Sequence, residues 1–208
     1  MIDTSTAAPG LEEIEITGMN RSAFIMRGAL AASAVYGAGA VAPFVGEAIA
    51  AGGGGDIGIL NFALTLEYLE AAFYKEAQAK VKLSSKTAAL AKLIQKDEEQ
   101  HVFALTKAIS GSGGKPVKAP GVKFPFSNEK GFLKLAQVFE DTGVSAYNGA
   151  GPKIRSKAIL GAAGSIVQIE ARHAAAIRLM GGLPPAPNAF DPKLETAAVL
   201  KAVKPFIA

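Results

Sequence analysis

The chain has two histidines, and each follows a glutamate by three residues: Glu98-Glu99-Gln100-His101 and Glu170-Ala171-Arg172-His173. Residues three apart share a helix face, so each pair can offer a carboxylate and an imidazole to one point. Glu67 precedes Glu98 by 31 residues, and Glu140 precedes Glu170 by 30. Each of these lone glutamates is followed seven residues on by a tyrosine, Tyr74 in one case and Tyr147 in the other. The chain thus repeats one pattern, Glu–x6–Tyr and then Glu–x-x–His, and reads as a duplicated helical hairpin. Two such hairpins packed about a pseudo-twofold axis would meet in four carboxylates and two imidazoles.

The phase of the apolar residues places these groups inside. Glu98 and His101 share a face with Ala91, Ile94 and Leu105, while Glu170 and His173 sit among Ile166, Ile169 and Ile177. Glu140 lies at helical spacing with Leu133, Ala136 and Val144. Four buried carboxylates without compensation would be very costly or would take up protons. Two divalent cations neutralise them. An oxygen-rich set with one imidazole per ion suits iron or manganese better than zinc, which prefers fewer, tetrahedral ligands. Glu70, one turn from Glu67, is the rival ligand on the first helix, and the repeat favours Glu67. Tyr74 and Tyr147 read as core residues whose hydroxyls reach a carboxylate.

Helical spacing and cap signals give the elements. The first helix starts with Asp56 as its cap and runs past Tyr74. The second is capped by Ser85 and stops at Gly111–Gly114. The third covers about Asn128–Asn148 and the fourth about Lys153–Met180, with Gly181-Gly182 as the stop. Asp191-Pro192 opens a short terminal helix. Short, long, short connections predict two antiparallel hairpins joined by a crossover, an all-α four-helix bundle. The expected division is a leader-like segment or arm over 1–55, the bundle over 56–182, and a Pro-rich tail with a short helix over 183–208.

The first 55 residues follow a different grammar. Arg21-Ser22-Ala23-Phe24-Ile25-Met26-Arg27 precedes an Ala/Gly/Val run from Ala29 to Val45, then Ala48-Ile49-Ala50 and a Gly52–Gly55 tract. A positive flank, an apolar stretch and a small-x-small site are the parts of an export signal, so the expected location is the cell envelope. The order resembles a twin-arginine leader in which Ser22 replaces the second arginine. A retained membrane anchor or an amphipathic assembly arm over residues 20–50 are the competing readings, and a cytoplasmic location goes with the latter. Pro43 and Glu47 make a spanning helix imperfect.

Composition excludes several classes. The absence of cysteine removes disulfides, thiolate zinc sites and iron–sulfur clusters. The net charge of +4 comes from scattered lysines without an arginine-rich stripe, which argues against nucleic-acid binding.

The four-part ligand set, together with the segment Ile59-Leu60-Asn61-Phe62-Ala63-Leu64-Thr65-Leu66-Glu67-Tyr68-Leu69-Glu70-Ala71-Ala72-Phe73-Tyr74, resembles the bacterial ferritin-like family related to plant desiccation-associated proteins. That resemblance covers about Asp56 to Gly182 and implies a ferritin-like bundle with a di-iron or di-manganese carboxylate centre. It implies Glu67, Glu98 and His101 on one metal and Glu140, Glu170 and His173 on the other, with Glu98 and Glu170 as bridges. Asp97 resembles the aspartate that supports the histidine of the opposite pair, here His173. Ile169 holds the equivalent place in the other half, so the two metal positions are expected to differ. Gly143 stands where some relatives carry an extra glutamate after the counterpart of Glu140.

The implied function is oxidation of Fe(II), or reduction of dioxygen or peroxide, at two iron ions. A manganese catalase-like activity is the close alternative. A non-enzymatic, stress-related envelope protein with a structural metal site is the other. Homo-oligomer formation is expected, with the apolar arm and Leu183–Pro187 as assembly elements.

Overall fold

The computed structural model describes residues 54–208, and the leader, anchor and arm readings of the N-terminal segment lie outside them. The order is α1 (Gly55–Lys80), α2 (Ser85–Gly111), α3 (Glu129–Ala150), a 3-10 turn (Gly151–Lys153), α4 (Lys157–Met180), α5 (Thr196–Val203) and a final 3-10 turn (Lys204–Phe206). Helix α1 packs chiefly on α2 and α3 on α4, with α1–α3 and α2–α4 contacts joining the two hairpins. The described residues form the four-helix bundle of two hairpins expected from the loop lengths, with α5 added. Their one β-contact is an isolated bridge between Val122 and Ile207. None of the described helices is long and apolar enough to cross a membrane.

Several boundaries differ from the sequence expectation, each for a visible reason. The cap of α2 is Ser84, whose hydroxyl accepts from the Thr87 amide, and Ser85 is its first helical residue. Asp56 does not cap its own helix, whose cap position is Gly54. Its two carboxylate oxygens accept instead from the amides of Arg155 and Ser156, each at 2.8 Å, which ties the start of α1 to the turn before α4. Helix α3 begins at Glu129, with Asn128 as its cap, and runs two residues beyond Asn148. Helix α4 begins at Lys157 and not Lys153, because Pro152 sits in the 3-10 turn and Ser156 provides the cap. The terminal helix starts at Thr196, so Asp191-Pro192 lies in the irregular segment before it.

The hairpin members divide into inner and outer helices. On α2 the buried positions are confined to one stripe, Thr87, Ala91, Ile94, Glu98, His101, Leu105 and Ile109. On α1 every residue from Leu60 to Glu67 is buried, and on α3 every residue from Phe139 to Tyr147. Such all-round burial requires a third layer. The crossover supplies it over α1: buried Asn61 donates to the Lys115 carbonyl and accepts from the Val117 amide, while Phe124 and Phe126 pack on Phe73. The C-terminal segment supplies it over α3. The Leu194 amide donates to the Ser145 carbonyl, and a Cβ on Gly149 would lie 1.9 Å from the Leu194 oxygen, so glycine permits that approach. Phe206 and Ile207 then complete an aromatic core with Phe124 and Phe139.

Candidate metal centre

The six residues singled out in the sequence converge between the hairpins. Glu67, Glu98, Glu140 and Glu170 are fully buried, and His101 and His173 are buried with them. They form two overlapping groups of ligand atoms, each group within 4.8 Å: Glu67, Glu98, His101 and Glu170, and Glu98, Glu140, Glu170 and His173. Glu98 and Glu170 belong to both, the place expected of bridging carboxylates. The imidazole rings lie 6.3 Å apart.

Both histidines face the carboxylates through Nδ1. His101 Nδ1 is 3.1 Å from an oxygen of each of Glu67, Glu98 and Glu170. His173 Nδ1 is 2.9 Å from Glu98 and 3.6 Å from Glu140. The His101 contacts to Glu67 and Glu98 are hydrogen bonds, but much of the rest of the cluster is unpaired. Glu98 Oε1, Glu140 Oε2, both oxygens of Glu170 and His173 Nδ1 are buried and have no hydrogen-bond partner. Buried polar atoms are normally satisfied, so a cluster of orphans aimed at common points has the form of a cation cradle.

Two tyrosines hold the terminal glutamates, and they do so crosswise. Tyr147 on α3 donates to Glu67 Oε1 on α1 at 2.5 Å, and Tyr74 on α1 donates to Glu140 Oε1 on α3. In each glutamate one oxygen is thereby fixed. The other faces the centre: Glu67 Oε2 toward His101, and Glu140 Oε2 without a partner. Asp97 occupies the expected place, its Oδ2 3.2 Å from His173 Nε2, which orients that ring with Nδ1 inward.

The electrostatics follow from the crowding. Burial pushes the Glu67 carboxyl up to about 8, against the pull of the His101 ring. Burial also raises Glu140, and it raises Glu170 strongly, with the neighbouring Glu98 adding to both. Burial acts the same way on Glu98, yet the rings of His101 and His173 hold it down at about 2. Burial opposes charge on His101, but the carboxylates of Glu170, Glu67 and Glu98 hold it up at about 12. His173 is held at about 11 in the same way by Glu140 and Glu98. The metal-free cluster thus keeps protons where cations would replace them.

Glu70 is buried like Glu67, but only Glu67 belongs to the groups of ligand atoms, in line with what the repeat favours. One feature was not read from the sequence, a buried ion pair one residue from Glu140, in which Arg178 Nη2 donates to Asp141 Oδ1 while Arg178 Nη1 reaches the Pro185 carbonyl at 3.4 Å. It ties α3 and α4 to the Pro-rich tail, and no periodicity announces it.

The sequence matches a ferritin-like domain over residues 55–182. No curated protein matches it. Among solved structures it is similar to a conserved hypothetical protein, rv2844, from Mycobacterium tuberculosis. Identity is 19%, the overlap covers 70% of this chain and 99% of that one, and the TM-score is 0.56. At that identity the likeness bears on the fold.

Proposed function

This chain belongs to the ferritin-like domain family, and on that premise we propose that it holds two iron ions between its hairpins and oxidises Fe(II) or reduces dioxygen or peroxide. The observation that carries the reading is the set of orphaned buried ligand atoms on Glu98, Glu140, Glu170 and His173. Four carboxylates offset the charge of two divalent ions, and a mixed oxygen and imidazole set suits iron or manganese.

Iron bound there supplies reversible Fe(II)/Fe(III) chemistry toward dioxygen or peroxide. The chain's own residues have separable parts. Glu98 and Glu170 span both positions, and Glu67 with His101 and Glu140 with His173 each close one end. Tyr147 and Tyr74 reserve one oxygen of each terminal glutamate, leaving the other as the inward ligand. Asp97 fixes the His173 ring. The apolar residues of α1 and α3 on either side keep bulk water from the carboxylates, which strengthens every charge interaction inside.

The test starts with the full chain purified without added metal, its iron and manganese measured by elemental analysis. Aerobic Fe(II) oxidation and peroxide decay are then followed. Two irons per chain with catalysed Fe(II) oxidation or peroxide consumption support the proposal. Bound manganese with dioxygen release from peroxide would replace it by a catalase-like reading. Bound metal with neither activity, and unfolding when metal is removed, would replace it by a structural role.

A further inference from the structure

The repeat that relates the hairpins pairs Glu67 with Glu140 and Tyr74 with Tyr147, so it pairs Glu70 with Gly143. Nothing in the second hairpin answers to the Glu70 carboxylate. Glu70 lies outside the two groups of ligand atoms but is only 2% exposed, beside them. A Cβ built on Gly143 would lie 3.0 Å from Glu70 Oε1 and 3.1 Å from Glu170 Oε2. The two carboxylates therefore share a niche over a backbone that has no side chain to occupy it. Glu170 Oε2 is fully buried in that niche and has no hydrogen-bond partner.

We propose that Glu70 is a seventh protein ligand of the centre, a fifth carboxylate contributed by the first hairpin alone. The inference rests on the metal reading above and deepens it. Counting Glu70, the carboxylates carry five negative charges. Two divalent ions leave one in excess, whereas two trivalent ions leave one positive charge, so the fifth carboxylate shifts the balance toward the oxidised pair. Gly143 is the permissive half of the arrangement, because any side chain there would enter the niche.

Mn(II) binding decides the question without relying on turnover. The full-length wild type and Glu70→Gln are compared by equilibrium dialysis against Mn(II), and the Mn(II)-loaded forms by electron paramagnetic resonance. Wild type is expected to take two ions, and Glu70→Gln to bind one of them more weakly, by on the order of tenfold or more, with an altered spectrum. If circular dichroism shows that Glu70→Gln does not fold, Glu70→Asp takes its place; its shortened carboxylate is expected to weaken binding and alter the spectrum likewise. Wild-type affinity and spectrum in the folded variant would overturn the inference and leave the metal centre standing. Weaker binding with an unchanged spectrum would make Glu70 a through-space charge, which also overturns ligation. A wild-type chain that takes up no metal would overturn both readings together.

Discussion

The two hairpins present the same four chemical groups in the same order, yet they are not equivalent. α1 and α2 bring Asp97 and Glu70; α3 and α4 have Ile169 and Gly143 at the corresponding positions. What is duplicated is what any pair of ions needs: two terminal glutamates, two shared ones, two imidazoles and two tyrosine grips. What is not duplicated surrounds the ligands. Asp97 acts on His173, in the opposite hairpin, so the first hairpin supports the second half of the centre as well as its own. The difference shows that symmetry builds the cradle, and that departures from symmetry are what can make its two positions distinct.

The comparison breaks most completely at the shared residues. Glu98→Ala or Glu170→Ala is expected to reduce bound metal from two ions to nearly none, because each belongs to both groups. Glu67→Ala or Glu140→Ala is expected to leave one ion, and elemental analysis of the dialysed proteins separates the two outcomes. A smaller effect sharpens the inequality. Asp97→Asn is expected to weaken metal binding about 10–100-fold, as loss of a carboxylate behind a ligating histidine commonly does. A competitive chelator titration measures it, and an unchanged isotherm would remove the asymmetry argued from Asp97.

The tyrosines probe the symmetric part. Tyr74→Phe and Tyr147→Phe each leave a buried glutamate oxygen without its donor and are expected to cost about 1–2 kcal/mol apiece, by chemical denaturation of the metal-free protein. Similar costs support a true repeat, and a large difference would break it.

A further effect is one of pH on the metal-free fold. Glu67, raised to about 8, and His101 and His173, raised to about 12 and 11, bind protons more tightly folded than unfolded. The glutamate's contribution is therefore full below its unfolded value and is lost as pH rises toward 8. Those of the histidines are full below about 6.5 and decline above it. Glu98, lowered to about 2, contributes above its unfolded value and loses that contribution only as pH falls toward 2. Metal-free melting temperature should fall between about pH 5 and pH 9, and metal-loaded protein should resist that fall. Thermal scans with and without a chelator test both.

The cradle was legible because its residues obey two simple periods, three within a helix and about thirty between helices. Glu98 with His101 and Glu170 with His173 follow from them, whereas the place of Asp97 beside His173 came from the family resemblance. Residues whose partners lie far along the chain were harder to place. Asp56 looked like a local cap and instead caps across the molecule, because only the folded chain brings Arg155 and Ser156 to it. The burial of Glu70 as well as Glu67 was not readable, because the crossover covers a further side of α1 and a covering loop has no period to read.

The crossed tyrosine grips carry a consequence for what the covalent linkage between the hairpins makes available. A half-length chain dimerised about the same axis would keep both grips, since each half would hold the other's glutamate. It would also be compelled to carry an aspartate behind both histidines or behind neither, and a Glu70 on both sides or on neither. Joining the halves removes that compulsion. The 112–128 connection is thus more than a tether: it lets one sequence write different instructions at two otherwise mirrored positions.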